Sequence, residues 1–397
     1  MTTRHEISLA DRAEPYIEGM VGLLKTRGSI DSPAIEAAFR CVPRHLFVDH
    51  FYMRDKESRI LRWKHVTLDT LGDIEQWLSL IYRNKPLITS VNAIGQPDGS
   101  SSAPGAMAAM LEPLDMQPGM RVLEIGTGTG YNAAVLAHLA GNPHLVFTID
   151  LFPELVAKAQ ESLDRVVGPG VITRVANGLD GYPPAAPYDR IIATASWYRV
   201  PLSWLYQLQH DGVLVMNLKG RLGWGCFLRV TKTGQGRAAH GTITGFSDFM
   251  ILQEPGSAAI GFPSLIPHYV GRPINERISF SESEFNPRAL DSTSLLFLLQ
   301  LSFHQLYYGW IQLPADTPPS LCLIDTVTET LLKFCSTEEN WSVEIRGEVQ
   351  VWQRLKQIFQ HWETLGHPDI TAYELEIEET GQQFVCLPHR PDARWAL

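Results

Sequence analysis

The segment Val122-Leu123-Glu124-Ile125-Gly126-Thr127-Gly128-Thr129-Gly130-Tyr131 joins a short apolar run to three glycines at alternate positions. An alanine-rich helical pattern follows from Asn132 to Ala140. This order predicts a strand, a tight turn and the N-terminus of a helix. Glycine lets the backbone turn sharply and approach a ligand closely, and a helix N-terminus offers N–H groups and a partial positive charge. The segment therefore predicts a ligand site at the end of a strand.

The spacing of the glycines narrows the choice of ligand. The Lys-Ser/Thr pair of a phosphate loop does not follow, and the third glycine of the dinucleotide fingerprint is missing. Glu124 would repel phosphates, whereas it suits a ligand that carries an ammonium and a sulfonium group. Asp150 ends the next apolar run, 20 residues after Gly130, where such folds place a carboxylate on ribose hydroxyls. The form E-x-G-x-G-x-G resembles the first motif of class I S-adenosylmethionine (SAM) methyltransferases. Asp150 argues against a purely structural glycine turn.

From residue 145 to residue 218, predicted strands alternate with predicted helices. This alternation is typical of a doubly wound, largely parallel sheet, which binds ligands beyond the carboxyl ends of its strands. Residues 124–130, Asp150, Asn177 and residues 193–196 all fall at such ends. We therefore expect an α/β fold: a Rossmann-like SAM-methyltransferase sheet with an N-terminal helical segment and a small C-terminal α+β domain.

The length of 397 residues predicts two domains, or one domain with large additions. We expect an N-terminal helical, substrate-side segment over 1–85, a methyltransferase core over 86–252, a linker over 253–288 and an accessory α+β domain over 289–397. In the accessory domain, apolar runs predict a strand from Leu295 to Phe303. Apolar residues at steps of four and three predict a helix from Val351 to Leu365.

Charge and cysteine content exclude several classes of protein. The net charge is −10 and no basic block occurs, so we expect no nucleic-acid partner. The five cysteines are scattered, which predicts neither a zinc site nor a disulfide framework and favours a reducing, cytoplasmic location. The first residues are polar and predict no signal peptide. No apolar run approaches the roughly 20 residues of a membrane helix, so we expect no membrane partner.

The stretch Gly99-Ser100-Ser101-Ser102-Ala103-Pro104 precedes the cofactor strand by one predicted helix. Its composition reads as a loop. Its hydroxyls are well placed to contact a substrate, but the same residues also suit a solvated linker with a helix cap. Spacing alone leaves both interpretations open.

Over residues 10 to 230 the chain resembles protein-L-isoaspartate O-methyltransferases. The likeness rests on VPRHLFV at 42–48, the IGQ and SSSAP segments, VLEIGTGTGYNAAVLA at 122–137, Asp150, YDRIIATAS at 188–196 and the helix that starts at Val200-Pro201. It implies that Ser102 contacts the substrate carboxylate and that Ser100 matches the threonine of the family's T-I-S-x-P. The candidate catalytic residues are Ser102, Ser100 and Ser101. The candidate cofactor-binding residues are Glu124, Gly126, Thr127, Gly128, Gly130, Tyr131, Asp150, Leu151, Asn177, Gly178 and Thr194.

Three departures from the family pattern bear on function. The segment before the serines is longer by one residue, around Pro97-Asp98-Gly99. The family's G-D-G, whose aspartate faces the adenine amino group, is replaced by Ala176-Asn177-Gly178, so we expect a cofactor affinity that differs from that of relatives. The chain is also longer than repair enzymes of this family.

The extra length resembles that of relatives dedicated to ribosomal peptide natural products, such as lanthipeptides and graspetides. The likeness implies SAM as cofactor, S-adenosylhomocysteine as product, and a dedicated, modified precursor peptide as substrate, whose aspartate ester closes to a succinimide. No metal is implied. General isoaspartate repair, a small-molecule carboxyl methyltransferase and an inactive SAM-fold peptide-binding module remain alternatives. The sequence leaves the oligomeric state open.

Overall fold

The computed structural model describes residues 9–55, 62–92, 95–234, 236–253, 261–312, 319–336 and 341–397. The chain divides into two compact units. The first comprises Met1–Ala195, Pro201–Met216 and Thr231–Gly236, and the second comprises Ser196–Val200, Asn217–Val230 and Arg237–Leu397. These units differ from the predicted domains, because the boundary predicted at residue 289 lies inside the second unit. Residues 1–8 and 56–61 of the predicted N-terminal segment, and 254–260 of the predicted linker, lie outside the described residues.

The first unit contains both helices and strands. Its helices are α1 (Leu9–Thr26), α2 (Pro33–Cys41), α3 (Leu68–Leu71), α4 (Ile74–Tyr82), α5 (Pro104–Leu114), α6 (Tyr131–Ala140), α7 (Pro153–Val166) and α8 (Leu202–Gln207). Its strands are β1 (His50–Arg54), β2 (Trp63–Thr67), β3 (Leu87–Val91), β4 (Pro97–Ser101), β5 (Val122–Ile125), β6 (Val146–Asp150), β7 (Ile172–Val175), β8 (Tyr188–Trp197) and β9 (Leu208–Leu218).

Strand β5 lies inside a sheet in which β7, β6, β5, β8 and β9 are consecutive neighbours in that order. It pairs in parallel with β6 and with β8, and β6 pairs in parallel with β7. Every residue of β5 is buried, as expected of a strand covered on both faces. Because parallel strands point the same way, the residues that follow β5, β6, β7 and β8 meet at one edge of the sheet. The predicted α/β fold is confirmed.

A second sheet of the first unit was not predicted. Strands β2, β1, β3 and β4 form an antiparallel sheet in that order, within and just after the segment predicted to be helical. Helices α1 and α2 agree with the prediction. The serine segment, predicted as a loop, belongs to strand β4 as far as Ser101. Glycine and serine have low strand propensity, so this strand depends on its pairing with β3, a contact that local composition does not report.

The second unit also contains strands and helices. Its strands are β10 (Gly225–Lys232), β11 (Ala239–Ser247), β12 (Glu276–Phe280), β13 (Leu306–Ile311), β14 (Ser320–Asp325), β15 (Thr330–Ser336), β16 (Trp341–Arg346), β17 (Glu374–Ile377), β18 (Gln383–Cys386) and β19 (Arg394–Ala396). Its helices are α9 (Phe262–Val270), α10 (Thr293–Ser302) and α11 (Val349–Leu365). One sheet has the order β12-β16-β15-β14-β13, and the strands β10, β11, β17, β18 and β19 are consecutive neighbours in another.

Two predictions for this unit were wrong. The described part of the predicted linker contains α9 and β12, and β12 pairs antiparallel with β16. The strand predicted from Leu295 to Phe303 is helix α10. A short, continuous apolar run suits a buried helix as well as a buried strand, and α10 is buried on nearly every side. Helix α11 agrees with the predicted amphipathic helix and buries Val351, Leu355, Ile358 and Trp362.

A search of the described residues finds no helix with the length and apolar content needed to cross a membrane.

Candidate active site

The turn between β5 and α6 places the three motif glycines in left-handed backbone conformations. The φ angle is +97° at Gly126, +51° at Gly128 and +82° at Gly130, values that residues with a side chain rarely adopt. The backbone N–H groups of Gly126 and Thr127 both donate to the carbonyl oxygen of Ile149 in β6, at 2.9 and 3.1 Å. These bonds fix the turn against the neighbouring strand.

Two of these glycines also lie against neighbouring side chains. A Cβ atom built on Gly126 would lie 2.7 Å from Thr194 Oγ1, and one built on Gly130 would lie 3.2 Å from the Cβ of Ala159. The Thr194 hydroxyl, near the carboxyl end of β8, donates to the carbonyl oxygen of Gly126 at 2.8 Å. The structure thus brings Thr194 to the turn and leaves no room for a side chain at Gly126, while the predicted contact of Thr194 with the cofactor stays a prediction.

Glu124 lies beneath the turn and not in it. Its side chain is buried, and its two carboxylate oxygens accept hydrogen bonds from Asn132 Nδ2 and Thr148 Oγ1, both at 2.7 Å. Because Thr148 donates its proton to Glu124, Thr127 donates to Thr148 across 2.8 Å. Burial raises the pKa of the Glu124 carboxyl to about 7. These contacts make Glu124 and Thr127 supports of the turn, which corrects the expectation that their side chains contact the cofactor.

Tyr131 also departs from its predicted role. Its side chain is fully buried, and its ring packs near Phe39 and Phe47, with centroids 6.4 and 5.7 Å away. Burial raises the pKa of its hydroxyl well above the usual value. Tyr131 therefore packs α6 against the N-terminal segment, and its ring does not line the cofactor site.

Asp150 ends β6 directly beside the glycine turn. Its Oδ2 accepts the backbone N–H of Gly128 at 3.0 Å, and its Oδ1 accepts that of Phe152 at 3.3 Å. Burial raises the pKa of the Asp150 carboxyl, and the backbone amides of Gly128, Phe152 and Leu151 act in the opposite direction. The side chain is half-buried. Asp150 thus lies beside the turn, and its contact with the ribose stays a prediction.

The next strand end brings Asn177 and Gly178 to the same edge. The N–H of Ala176 donates to the carbonyl oxygen of Asp150 at 2.9 Å. Asn177 begins a short 3-10 helix, and its Oδ1 accepts the N–H of Leu179 at 3.1 Å. The carbonyl oxygen of Gly178 accepts the indole N–H of Trp204 at 2.8 Å. Part of the acceptor capacity of Asn177 is therefore used within the chain.

The serine segment meets the glycine turn through Ser100. A Cβ atom built on Gly128 would lie 2.9 Å from the Ser100 carbonyl oxygen. Along strand β4, side chains alternate between the two faces. Ser101 is buried, whereas Ser100 and Ser102 are half-buried. Within the described part of the chain, no hydrogen bond occupies the hydroxyl of Ser100 or Ser102. These two hydroxyls are the ones available to a substrate.

Ser101 points to Arg44, a residue that the sequence analysis did not single out. Arg44 Nε donates to Ser101 Oγ at 3.3 Å, and Arg44 Nη2 donates to the carbonyl oxygens of Ser101 and Ser102 at 3.0 and 2.9 Å. The Ser101 hydroxyl is thus engaged inside the protein. This contact corrects the prediction that Ser101 acts on the substrate.

Arg44 is completely buried and holds several backbone segments together. Its guanidinium also donates to the carbonyl oxygens of Ile81 at 2.8 Å and Lys85 at 3.2 Å. Burial lowers the pKa of this guanidinium to about 10. In the sequence, Arg44 was marked only by its position in VPRHLFV, a segment that we interpreted as the end of a helix. A buried arginine is identified by tertiary contacts that sequence spacing does not contain.

Comparison with known proteins bears on the identity of this site. The sequence model of the family described as protein-L-isoaspartate(D-aspartate) O-methyltransferase matches residues 53–240. A protein-L-isoaspartate O-methyltransferase of Pyrococcus horikoshii is 35% identical over 217 residues, which are 54% of this chain and 83% of that protein. A protein of the same name from Ignicoccus hospitalis is 43% identical over 135 residues, which are 34% of this chain and 64% of that protein.

The chain belongs to the protein-L-isoaspartate O-methyltransferase family. Membership confirms the predicted enzyme class, an O-methyltransferase that uses SAM. A solved structure named protein-L-isoaspartate O-methyltransferase shares the fold with a TM-score of 0.54 at 20% identity. The structural match covers 94% of this chain and 99% of that chain. The shared fold therefore extends beyond residue 240, where the family match ends.

The residues at the strand ends fit the cofactor of this family. The left-handed glycines allow the tight turn at the end of β5, and Asp150 places a half-buried carboxylate beside them. In this arrangement Gly126, Gly128 and Gly130 would line the methionine part of SAM. Asp150 would hold the ribose hydroxyls, and Leu151, Asn177 and Gly178 lie where the adenine would reach. These assignments of single residues stay predictions.

Proposed function

We propose that this enzyme transfers the methyl group of SAM to a carboxylate of an aspartate or isoaspartate residue in a peptide. The observation that carries the proposal is the approach of Ser100 to Gly128, where a Cβ on the glycine would lie 2.9 Å from the serine carbonyl oxygen. This approach sets the serine strand against the cofactor turn. A carboxylate held by Ser102 would then lie next to a methyl donor held by the glycines.

The chemistry suits hydroxyl groups. An aspartyl carboxylate has a pKa of about 4 and is ionised at neutral pH, so it is already a nucleophile and needs no general base. Bound SAM supplies the electrophilic methyl group. The task of the protein is to orient one carboxylate oxygen in line with that methyl group. Ser102, and Ser100 beside it, can donate to the second oxygen without neutralising the first.

A cation in the place of Ser102 would stabilise the ionised substrate before methyl transfer and so slow the reaction. The charge on the carboxylate disperses as the methyl group is transferred, so a lysine would stabilise the ground state more than the transition state. Arg44 is a cation hydrogen-bonded to the serine segment, and its guanidinium donates to backbone carbonyls and to Ser101. The charge is thus used to hold the strand.

We further propose that the substrate is a dedicated, modified ribosomal peptide. In such a peptide the methyl ester is attacked by the neighbouring backbone nitrogen, methanol leaves, and a five-membered succinimide closes. Hydrolysis of the imide then yields aspartate or isoaspartate. The longer segment around Asp98, next to the serines, supports a substrate that differs from that of repair enzymes.

General repair of isoaspartyl residues is the alternative. It is favoured by the names of the relatives and by the solved isoaspartate methyltransferase whose fold covers 94% of this chain. Because that protein shares the fold over nearly the whole chain, the C-terminal region by itself does not argue for a dedicated peptide.

A mass-spectrometric time course with the purified full chain and SAM separates the two. One reaction contains a short isoaspartyl peptide, and the other contains a conformationally constrained peptide with ordinary aspartate. Methylation of the isoaspartyl peptide alone supports repair. Methylation of the ordinary aspartate, followed by loss of methanol as the imide closes, supports the dedicated substrate. Absence of methylation on both peptides contradicts the proposed function.

A further inference from the structure

Strands β3 and β4 are paired with two irregularities next to the serines. The register pairs Ile88 with Ser100, Ser90 with Gly99 and Val91 with Pro97. Thr89 is therefore an extra residue on β3, and Asp98 is an extra residue on β4. Bulges of this kind redirect side chains and are frequent beside active sites. The residue by which this segment exceeds the family pattern is thus absorbed as a bulge.

Both extra residues have a buried polar atom without a partner. Asp98 Oδ1 and Thr89 Oγ1 are inaccessible to solvent, and no hydrogen bond reaches either atom from the part of the chain that the structure describes. Burying such an atom without a partner is unfavourable, and more so when the atom is charged. An orphaned carboxylate oxygen two residues before Ser100 therefore indicates a ligand that brings a donor.

The bulge is held in place from its outer side. His50 Nε2 lies 2.9 Å from the carbonyl oxygen of Thr89, and His50 Nδ1 lies 2.6 Å from Asp49 Oδ1. Lys158 of α7 donates to the same oxygen of Asp49 at 2.7 Å. Burial acts to raise the pKa of Asp49, but the bonds from Lys158 and His50 outweigh it and lower that pKa. These contacts fix the backbone of Thr89, so the bulge is a defined part of the fold.

Charge limits what Asp98 can accept. The proposed substrate presents a carboxylate to Ser102, and an anion beside Asp98 would be repelled. Unless the next residue is proline or N-methylated, a peptide has a donor beside the reacting carboxyl group: the amide N–H that joins the methylated residue to the next one. This nitrogen is also the one that closes the succinimide.

We propose that Asp98 accepts a hydrogen bond from the amide N–H that follows the methylated residue. The inference rests on the proposed function and names a substrate class: peptides with a free N–H at this position, as opposed to proline or an N-methylated residue. Asp98 would then hold the peptide backbone while Ser102 holds the carboxylate.

The test uses two peptides that differ only in this N–H. In one, the methylated residue is followed by glycine, and in the other by sarcosine, which carries a methyl group on the nitrogen. Initial rates of ester formation are measured by mass spectrometry with the full chain. The wild type should favour the glycine peptide by about tenfold or more in kcat/KM, as expected for one hydrogen bond to a charged group.

Asp98→Ala distinguishes a lost hydrogen bond to Asp98 from a steric clash with the extra methyl group of sarcosine. The variant should lose activity on the glycine peptide and treat both peptides alike, whereas a steric effect of the extra methyl group would persist. SAM affinity, measured by titration calorimetry, should stay unchanged. Asp69→Ala, at an exposed acid of the same unit, is the matched control and should behave as the wild type.

Several outcomes would overturn the contact. Equal use of the two peptides by the wild type contradicts it while leaving methyl transfer established. Retained discrimination in Asp98→Ala contradicts it as well, and weakened SAM binding in that variant would assign Asp98 to the cofactor. Failure of the wild type to methylate either peptide, or an ordinary aspartyl peptide, contradicts the proposed function and the contact together.

Discussion

A Cβ atom built on Gly128 would lie 2.9 Å from the backbone carbonyl oxygen of Ser100. The two residues come from different sheets, and helix α5 and strand β5 separate them along the chain. Their approach joins the predicted cofactor turn to the predicted substrate segment. This contact favours the hypothesis that the serines act on a substrate. It disfavours the alternative, in which the segment is a solvated linker.

Gly128→Ala tests this approach. The added methyl group would press on the Ser100 carbonyl, and alanine disfavours the left-handed φ of +51°. We expect at least a tenfold loss of kcat/KM and weaker SAM binding, since a shift of about 1 Å near reacting groups can cost a hundredfold. Kinetics and calorimetry measure the two effects. Gly19→Ala, in helix α1 with open space around its Cβ position, is the control, and equal behaviour of the two variants would contradict the expectation.

Ser102→Ala and Ser101→Ala should affect different properties. Removing the half-buried Ser102 hydroxyl should slow methyl transfer by about tenfold, as for loss of a hydrogen bond to a charged group, with SAM affinity unchanged. Removing the Ser101 hydroxyl deletes one contact with Arg44 and should lower the melting temperature more than it lowers kcat. Steady-state kinetics and thermal unfolding on both variants check this. If Ser102→Ala retains the full rate, the assignment of Ser102 to the substrate carboxylate is wrong.

Arg44→Met should destabilise the first unit strongly. The substitution leaves the carbonyl oxygens of Ile81, Ser101 and Ser102 without a donor in the interior. We expect a loss of about 3 kcal/mol or more in the free energy of unfolding, measured by denaturant titration. Arg40→Met is the matched control. Arg40 pairs with Glu18 and Glu36 on a partly exposed surface, where an ion pair contributes only about 0–1 kcal/mol. A loss for Arg44→Met no larger than for the control would contradict this role.

Glu124 should make stability depend on pH. Burial raises the pKa of its carboxyl from the ordinary 4.5 to about 7. Between these values the folded chain keeps a proton that the unfolded chain has released. The stability from this proton is therefore full below pH 4.5 and is lost as the pH rises through 7, a change of about 3 kcal/mol.

Glu124→Gln removes this titration while keeping a similar shape. The melting temperature of the variant should fall less between pH 5 and pH 8 than that of the wild type. Glu14→Gln, on the exposed side of α1, should follow the wild-type curve. Parallel curves for Glu124→Gln and the wild type would show that Glu124 is not the titrating group.

The sequence by itself determined the sheet and the place of the cofactor turn. Strand β5, the glycines of the turn and Asp150 belong to patterns that are local in sequence: a buried apolar run, positions that need a left-handed backbone, and an acid at the next strand end. Parallel strands bring such ends to one edge wherever the sheet forms, so local pattern and topology give the same answer.

Tertiary structure alone decided which side chains face the site. Glu124, Thr127 and Tyr131 lie in the same motif as the glycines, yet burial turns the first two into supports of the turn and the third into a packing residue. Ser101 differs from Ser102 because alternation along β4 sends its side chain to Arg44. The pairing of β3 with β4, which creates the bulge at Asp98, also depends on contacts between strands. A residue type sets what a side chain can bind, but the partners that the fold supplies decide which groups remain free for a ligand.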